Sequence, residues 1–429
     1  MVLIMLLTTV VDFYCAIMIE NGKRKQGLIL AIVYNVGLLF YFKYLNFAFA
    51  NVVDLLHLFG INNIDPMRKI VMPLGISFLT FHSLSYVIDV YRKEIKANRN
   101  IIDFGTYIFL FPHLIAGPIV RYVHIEKELQ SRVITEDKFA EGIKRFIIGL
   151  AKKMIIANNC AYVADYIFGL PNHSISTPVI WIAMIAYTFQ IFYDFSGYSD
   201  MAIGLGKMVG FDFRENFNYP YISTSIQEFW RRWHISLSTW FRDYVYIPLG
   251  GSRVSPNRVY INLFIVFLVT GFWHGASWSF MFWGMFHGLF IVLERLWLKD
   301  KLEKVWAPVA HFYTLSIVLI GWVFFRADTL ELAVFYLGKL VSFTTYATDQ
   351  AVITQIISKE VIAAMVMGAL LSTPIYGWLK AKIEPKLSTR RGAELVLNYG
   401  YNIGLLILFI ATCSLIAVNS YNPFIYFRF

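Results

Sequence analysis

The sequence predicts an all-helical bundle embedded in a membrane, with about nine to ten membrane elements that include re-entrant and interfacial helices. Three observations predict it. The 429 residues are 58% hydrophobic and 17% aromatic, with 15% charged residues and a mean hydropathy of +0.57. A soluble chain carries roughly a quarter charged residues. Apolar runs of helix length alternate with short loops, and the formal net charge of +10 is concentrated in those loops. Finally, Val259 to Leu293 contains no Asp, Glu, Lys or Arg over 35 residues. No Gly/Ser-rich or Pro-rich linker, repeat or low-complexity tract divides the chain, so residues 1–429 are read as a single membrane domain.

The elements follow in order. Residues 2–19 form a first crossing that ends on Lys23-Arg24-Lys25, a stop-transfer pattern rather than a removable signal peptide. Residues 27–42 return, followed by an aromatic, interface-like piece to Gly60, and 70–91 come back to the basic loop Arg92 to Arg99. The apolar piece 101–120 is broken by Pro112 and Gly117-Pro118 and opens into another basic region, so it is expected to be re-entrant. From Arg121 to Lys153, eight basic and five acidic residues with apolar residues at helical spacing predict an interfacial helix pair. Residues 154–170 and 179–206 are the next two crossings, the second carrying Asp194 and Asp200. After the uncharged stretch come crossings at 308–325, 361–378 and 397–419, whereas 332–358 outlines no element. The aromatic C-terminus, YNPFIYFRF, is expected at the outer interface.

The run from Val259 to Leu293 is too long for one crossing of ~20 residues and too short for two with a turn. Breakers near Gly271, Gly275 and Ala276 predict two shortened helices bent at Trp273-His274-Gly275-Ala276. Basic residues flank both ends, so His274 falls at the inner apex of a hairpin, ~22 Å deep after about 15 helical residues. Histidine is the least costly ionisable group to bury there, because its neutral form is available near pH 7. His274 is thereby a candidate general base, whereas His82, His113, His287 and His311 read as structural.

A second histidine, His234, lies in EFWRRWHISLSTWFRDYVYIPLGGSR, among Trp230, Trp233, Trp240 and the arginines Arg231, Arg232 and Arg242. From Glu228 to Arg258 there are five Arg, no Lys and two acids. Arginine with aromatic neighbours suits a phosphate-bearing, planar head group, so Arg231, Arg232, Trp233 and Arg242 are donor-binding candidates. An interfacial helix anchored at lipid headgroups would carry the same residues. Nucleic acid is a poor partner, because no basic face is free of membrane segments. Cys15, Cys160 and Cys413 form neither a disulfide framework nor a metal spacing, and no phosphate loop, Gly-x-Ser-x-Gly or His-Glu-x-x-His occurs. Asp194 and Asp200, six residues apart, sit about 240° around a helix and are no catalytic pair on one face. Together with His274 they could form the relay of an ion-coupled carrier, the rival class.

At these residues the chain resembles the membrane-bound O-acyltransferase family, and within it the bacterial alginate O-acetyltransferase branch. The matching pieces are MPLGISFLTFHSLSYVIDVYR (72–92), FPHLIAGPIVR (111–121), YTFQIFYDFSGYSDMAIGLGKMVGFDFRENFNYPYIS (187–223), the 228–253 stretch above, FWHGASWSFMFWGMFHG (272–288), GWVFFRAD (321–328) and NPFIYFRF (422–429). Gly250-Gly251 after YIPL favours this branch over the one that D-alanylates teichoic acids. The resemblance implies an acyltransferase with a funnel or tunnel through the bundle, with the family's catalytic histidine at His274 and its second motif histidine at His234. Asp194, Trp273 and Trp278 are tunnel-lining candidates. It further implies that acetyl from a cytoplasmic donor, acetyl-CoA, reaches an exported polysaccharide or a periplasmic partner across the bacterial inner membrane, without a bound cofactor or metal. Peptidoglycan or teichoic acid are alternative acceptors. Relatives commonly begin with one more apolar segment, so this chain is expected to be shorter by one or two elements.

Overall fold

The computed structural model describes residues 2–388, 393–418, 421 and 423–424, and among them every regular element is helical. α1 (Val2–Glu20) turns at the basic loop into α2 (Arg24–Leu39), which passes through a π-helical turn (Phe40–Tyr44) into α3 (Leu45–Leu58). The interface-like piece after residue 42 is therefore a continuation of one long helix. α4 (Ile76–Arg92) is buried along 14 of its 17 residues and packs against α1 and α2. α5 (Ile101–Ile108) starts on an Asn100 cap, gives way to a short 3-10 turn at Phe111–His113, and the chain is back at its basic end by Arg121. Eight helical residues reach only ~12 Å, too short to cross a bilayer.

α6 (Tyr122–Gln130) is the amphipathic helix expected at the interface. α7 (Glu136–Ala151), however, does not stay there. Capped by Thr135 and led by Glu136 and Asp137, it continues through a second π turn (Lys152–Ala157) into α8 (Asn158–Phe168), one rod of 33 residues. The expected boundary near residue 153 is absent because α9 (Thr177–Met208) supplies partners for the charges. Asp200 pairs with Arg145 and Lys152, each at 2.6 Å, and Asp194 pairs with Lys153 at 2.6 Å. Glycines let the two backbones touch. A Cβ on Gly142 would lie 2.6 Å from the Gly204 carbonyl oxygen, and one on Gly149 would lie 2.5 Å from that of Gly197. The glycines are seven residues apart on each helix, so one face of each rod is a narrow seam.

α10 (Ile226–Arg232) and α11 (Ile235–Phe241), which ends in a third π turn (Arg242–Tyr246), are short helices lying beneath the hairpin of α12 (Pro256–His274) and α13 (Trp278–Leu293). The hairpin turns at Gly275-Ala276-Ser277, as the breaker residues predict, and Ser277 caps α13. A fourth π turn (Glu294–Leu298) and α14 (Lys299–Leu302) lead to α15 (Ala307–Arg326). Then come α16 (Leu330–Val341), α17 (Asp349–Ile356), α18 (Lys359–Leu371), α19 (Ile375–Ser388) and α20 (Ala393–Val418). The stretch 332–358 is thus mostly helical, but α17 meets α18 at 78°, which breaks its apolar period into pieces too short to register as one span. Among the described residues seven helices are long and apolar enough to cross a membrane. The bent α17–α18 pair makes an eighth if it forms one span. Most of the C-terminal tail lies outside the described residues, but Tyr421 donates to Asp165 and Lys153 donates to the Pro423 carbonyl.

The largest core is aromatic, built from α8, α9, α10, α13, α15 and α16, with Trp230, Trp233, Trp283 and Trp322 at its centre. It packs along α13 of the α12–α13 hairpin.

Candidate active site

α12 runs ~28 Å from the basic face of the bundle and ends on His274. Gly275, extended at φ −160°, breaks the helix there. The imidazole is 6% exposed and framed edge-on by Trp283 of α13 at 5.0 Å and Phe325 of α15 at 5.3 Å between ring centroids. Among the described residues none hydrogen-bonds a ring nitrogen of His274, so both are available to a bound group. The ring lines a cavity of about 250 Å³, together with Lys43, Met72, Gly75, Ser77 and Trp273, on the face opposite the basic loops.

His234 lies on the other side of Trp273. Its ring centroid is 6.5 Å from that indole, and the indole is 4.9 Å from His274. His234 joins α10 to α11 in the left-handed conformation, at φ 44°, which disfavours a side chain by about 1–3 kcal/mol. Fully buried against Phe195, it has no hydrogen-bond partner for either ring nitrogen among the described residues. The two motif histidines therefore flank one tryptophan, with His274 facing a cavity and His234 enclosed.

Toward the basic face a cleft of about 460 Å³ is lined by Arg231, Arg242, Gln227, Trp230, Tyr246 and Thr270, among others. An adjoining recess of about 390 Å³ shares Arg231 and Gln227 and adds Arg295 and Lys299. Thr270 stands one helical turn, ~6 Å, before His274 on α12. The basic cleft and the opposite cavity thus approach the same helix end from two sides. A smaller recess beside α6 holds Arg121 and His124. There burial and the nearby Arg214 and Arg121 push His124 down to about 4, so its Nε2 is free to accept from the Arg121 guanidinium.

Of the donor-binding candidates, Arg231 and Arg242 face the cleft together. Arg232 is turned into the scaffold, donating to Glu228 at 2.9 Å and to the Asn218 carbonyl at 3.1 Å. Trp233 is buried against Phe229, Phe217 and Trp322. Trp273 lines the cavity at His274. Trp278 is 53% exposed and donates to Asn51 of α3. Asp194 is held by Lys153, and Asp200 by Arg145 and Lys152, so the carboxylates of a carrier-type relay are paired with α7 and its π turn rather than brought to His274. Among the described residues no three His, Cys, Asp or Glu side chains gather as a metal-binding set.

Two residues of the site escape a reading along the sequence. His287 is fully buried against Trp230 and Trp283, joining the cleft wall to the His274 frame. Lys43, from the π turn after α2, donates to the Trp273 and His274 carbonyls. A lone cation in an apolar run is itself a signal of function, and Lys43 carried it.

Comparison with known proteins bears on this geometry. Residues 5–300 match the family described as MBOAT, membrane-bound O-acyltransferase. The chain is 41% identical over 422 residues to a probable alginate O-acetylase of Pseudomonas putida, covering 96% of this chain and 86% of that protein. It is 36% identical to a peptidoglycan O-acetyltransferase of Helicobacter pylori, over 75% of this chain and 66% of that one. Similarity extends to a teichoic acid D-alanyltransferase of Bacillus subtilis, 30% identical over 60% of this chain and 68% of that one.

Proposed function

This chain belongs to the membrane-bound O-acyltransferase family and is an acyltransferase, and from that premise we propose that it moves acetyl groups from a cytoplasmic thioester donor, acetyl-CoA, to the outer side of the bacterial inner membrane. There it serves O-acetylation of an exported polysaccharide such as alginate, directly or through a periplasmic partner. The observation that carries this reading is the position of His274, closing α12 between an arginine-lined cleft and a cavity on the opposite face. The basic loops beside the cleft support a cytoplasmic position for it.

Arg231 and Arg242 take the donor's phosphates, since guanidinium pairs with phosphate through paired, charge-assisted hydrogen bonds. The thioester reaches the end of α12, past Thr270. A ring nitrogen of His274 removes the acceptor hydroxyl proton as its oxygen bonds to the thioester carbonyl carbon. The tetrahedral intermediate then expels the thiolate, which recovers the proton from the imidazolium. Base catalysis of this kind contributes typically about 10²–10⁴-fold. The buried aromatic frame of Trp273, Trp283 and Phe325 excludes water that would otherwise hydrolyse the thioester.

The test is transfer of label from acetyl-CoA, by purified protein in detergent, to a panel of acceptors: uronate polymer, peptidoglycan fragments and teichoic acid. Transfer to the uronate polymer without any ion gradient is the expected result. Preference for another polymer would reassign the acceptor, and gradient-driven solute uptake in sealed vesicles with no acetyl transfer would overturn the enzyme reading.

A further inference from the structure

The end of α12 is completed by another part of the chain. A helix leaves its last carbonyls open, and here Gly275 takes only the Gly271 carbonyl, at 3.4 Å. The next three are satisfied by two consecutive side chains of the π turn after α2. The Tyr44 hydroxyl donates to the Phe272 carbonyl at 3.1 Å. The Lys43 ammonium donates to the Trp273 carbonyl and, at 3.1 Å, to that of His274. Its third contact is the Ser77 hydroxyl at 3.3 Å. The Tyr44 ring also stacks on Phe272, with centroids 4.1 Å apart, and the ammonium lies 5.6 Å from the Trp273 ring.

Two features set this apart from an ordinary cap. Among the described residues Lys43 has no carboxylate partner, although burying a cation in a membrane protein is expensive and a neutral amide could have capped the same carbonyls. And Lys43 lines the same cavity as the imidazole of His274, so its charge stands where the reacting groups meet. π turns recur at functional sites because the added residue redirects side chains out of the regular helical ladder. A helix C-terminus is also where a cation is electrostatically favoured.

We propose that Lys43 and Tyr44 form a clamp that positions His274 for transfer, fixing the last turn of α12 so that the imidazole faces the cavity. This rests on His274 being the base. Releasing the clamp lets the last turn fray and displaces the imidazole, and a displacement of about 1 Å costs about 10²-fold in rate.

The experiment compares kcat and the donor and acceptor KM of K43M, K43R, Y44F and H274A, per correctly inserted protein, with thermal unfolding in detergent alongside. K43M should lose about 10²-fold in kcat with both KM values unchanged. K43R should recover most of that loss, and Y44F should lose roughly five- to tenfold through one hydrogen bond. Wild-type kcat in K43M overturns the clamp, as does a raised acceptor KM with kcat retained, which would make Lys43 an acceptor-binding group. Should K43M fail to insert, Y44F carries the test, and unchanged kcat there overturns the proposal. H274A separates the two levels: a dead H274A beside active K43M and Y44F fails the clamp alone, whereas an active H274A fails the reading of His274 as base.

Discussion

His274 and His234 are both buried beside Trp273, yet their surroundings differ in the way that matters to chemistry. His274 has a cavity in front of it, while His234 has Phe195 on one side and Trp273 on the other. His274→Ala should therefore lower transfer by about 10²–10⁴-fold and leave thermal unfolding close to wild type. His234→Ala opens a void in a packed core, so it should lower stability by roughly 2 kcal/mol and reduce transfer less. Acetyl transfer per inserted protein, measured beside detergent-extracted unfolding, checks both; the opposite pattern moves the base to His234. The place of His274 at the end of a helix was legible because Trp-His-Gly-Ala sits at a break in an uncharged run. Lys43 is marked in the sequence only as a lone cation in an apolar run, since nothing near it hints at the helix end it meets more than two hundred residues later.

At the scale of elements, the pairing of α7 with α9 is what turns an amphipathic sequence into a membrane rod. Arg145, Lys152 and Lys153 look like headgroup anchors when read alone, and 121–153 accordingly reads as interfacial. The glycine seam changes their meaning: with Gly142 against Gly204 and Gly149 against Gly197, the backbones approach closely enough for all three cations to reach carboxylates of α9. Gly197→Leu should force the rods apart and weaken those ion pairs together. The expected destabilisation is at least the roughly 1–3 kcal/mol typical of overpacking, measured as a lower unfolding temperature, whereas Gly37→Leu, at a site with open space around it, should be nearly neutral. Equal effects would mean that the seam is not a packing determinant. The breaks in 101–120 and at the hairpin turn were legible for a simpler reason, because Pro112, Gly117, Gly275 and their neighbours act locally.

The whole molecule presents its arginine-lined cleft on one face and the His274 cavity on the other, so the two substrates of the proposed reaction arrive from opposite sides. R231A/R242A should raise the donor KM by about tenfold or more while acceptor KM stays fixed, since phosphate-binding arginines contribute charge-assisted hydrogen bonds worth roughly twice a neutral one. R232A, which breaks the tie to Glu228 and Asn218, should affect stability before donor KM. In sealed vesicles of known orientation, donor should be consumed only from the basic face; consumption from either face would exclude a sided path. The basic loops carry the expected sidedness, but the sequence does not say which arginines share a cleft, because Arg231 and Arg232 are neighbours in the chain and point to different places in the fold.

The clamp on α12 has a consequence for biosynthesis. Lys43 and Tyr44 enter the bilayer early, and their carbonyl partners are made some 230 residues later. Until then the first helices must hold an ammonium without its final acceptors, and the hairpin can mature only by docking against them. Catalytic competence would then appear in one late step, when the ends of the chain's first and middle portions meet.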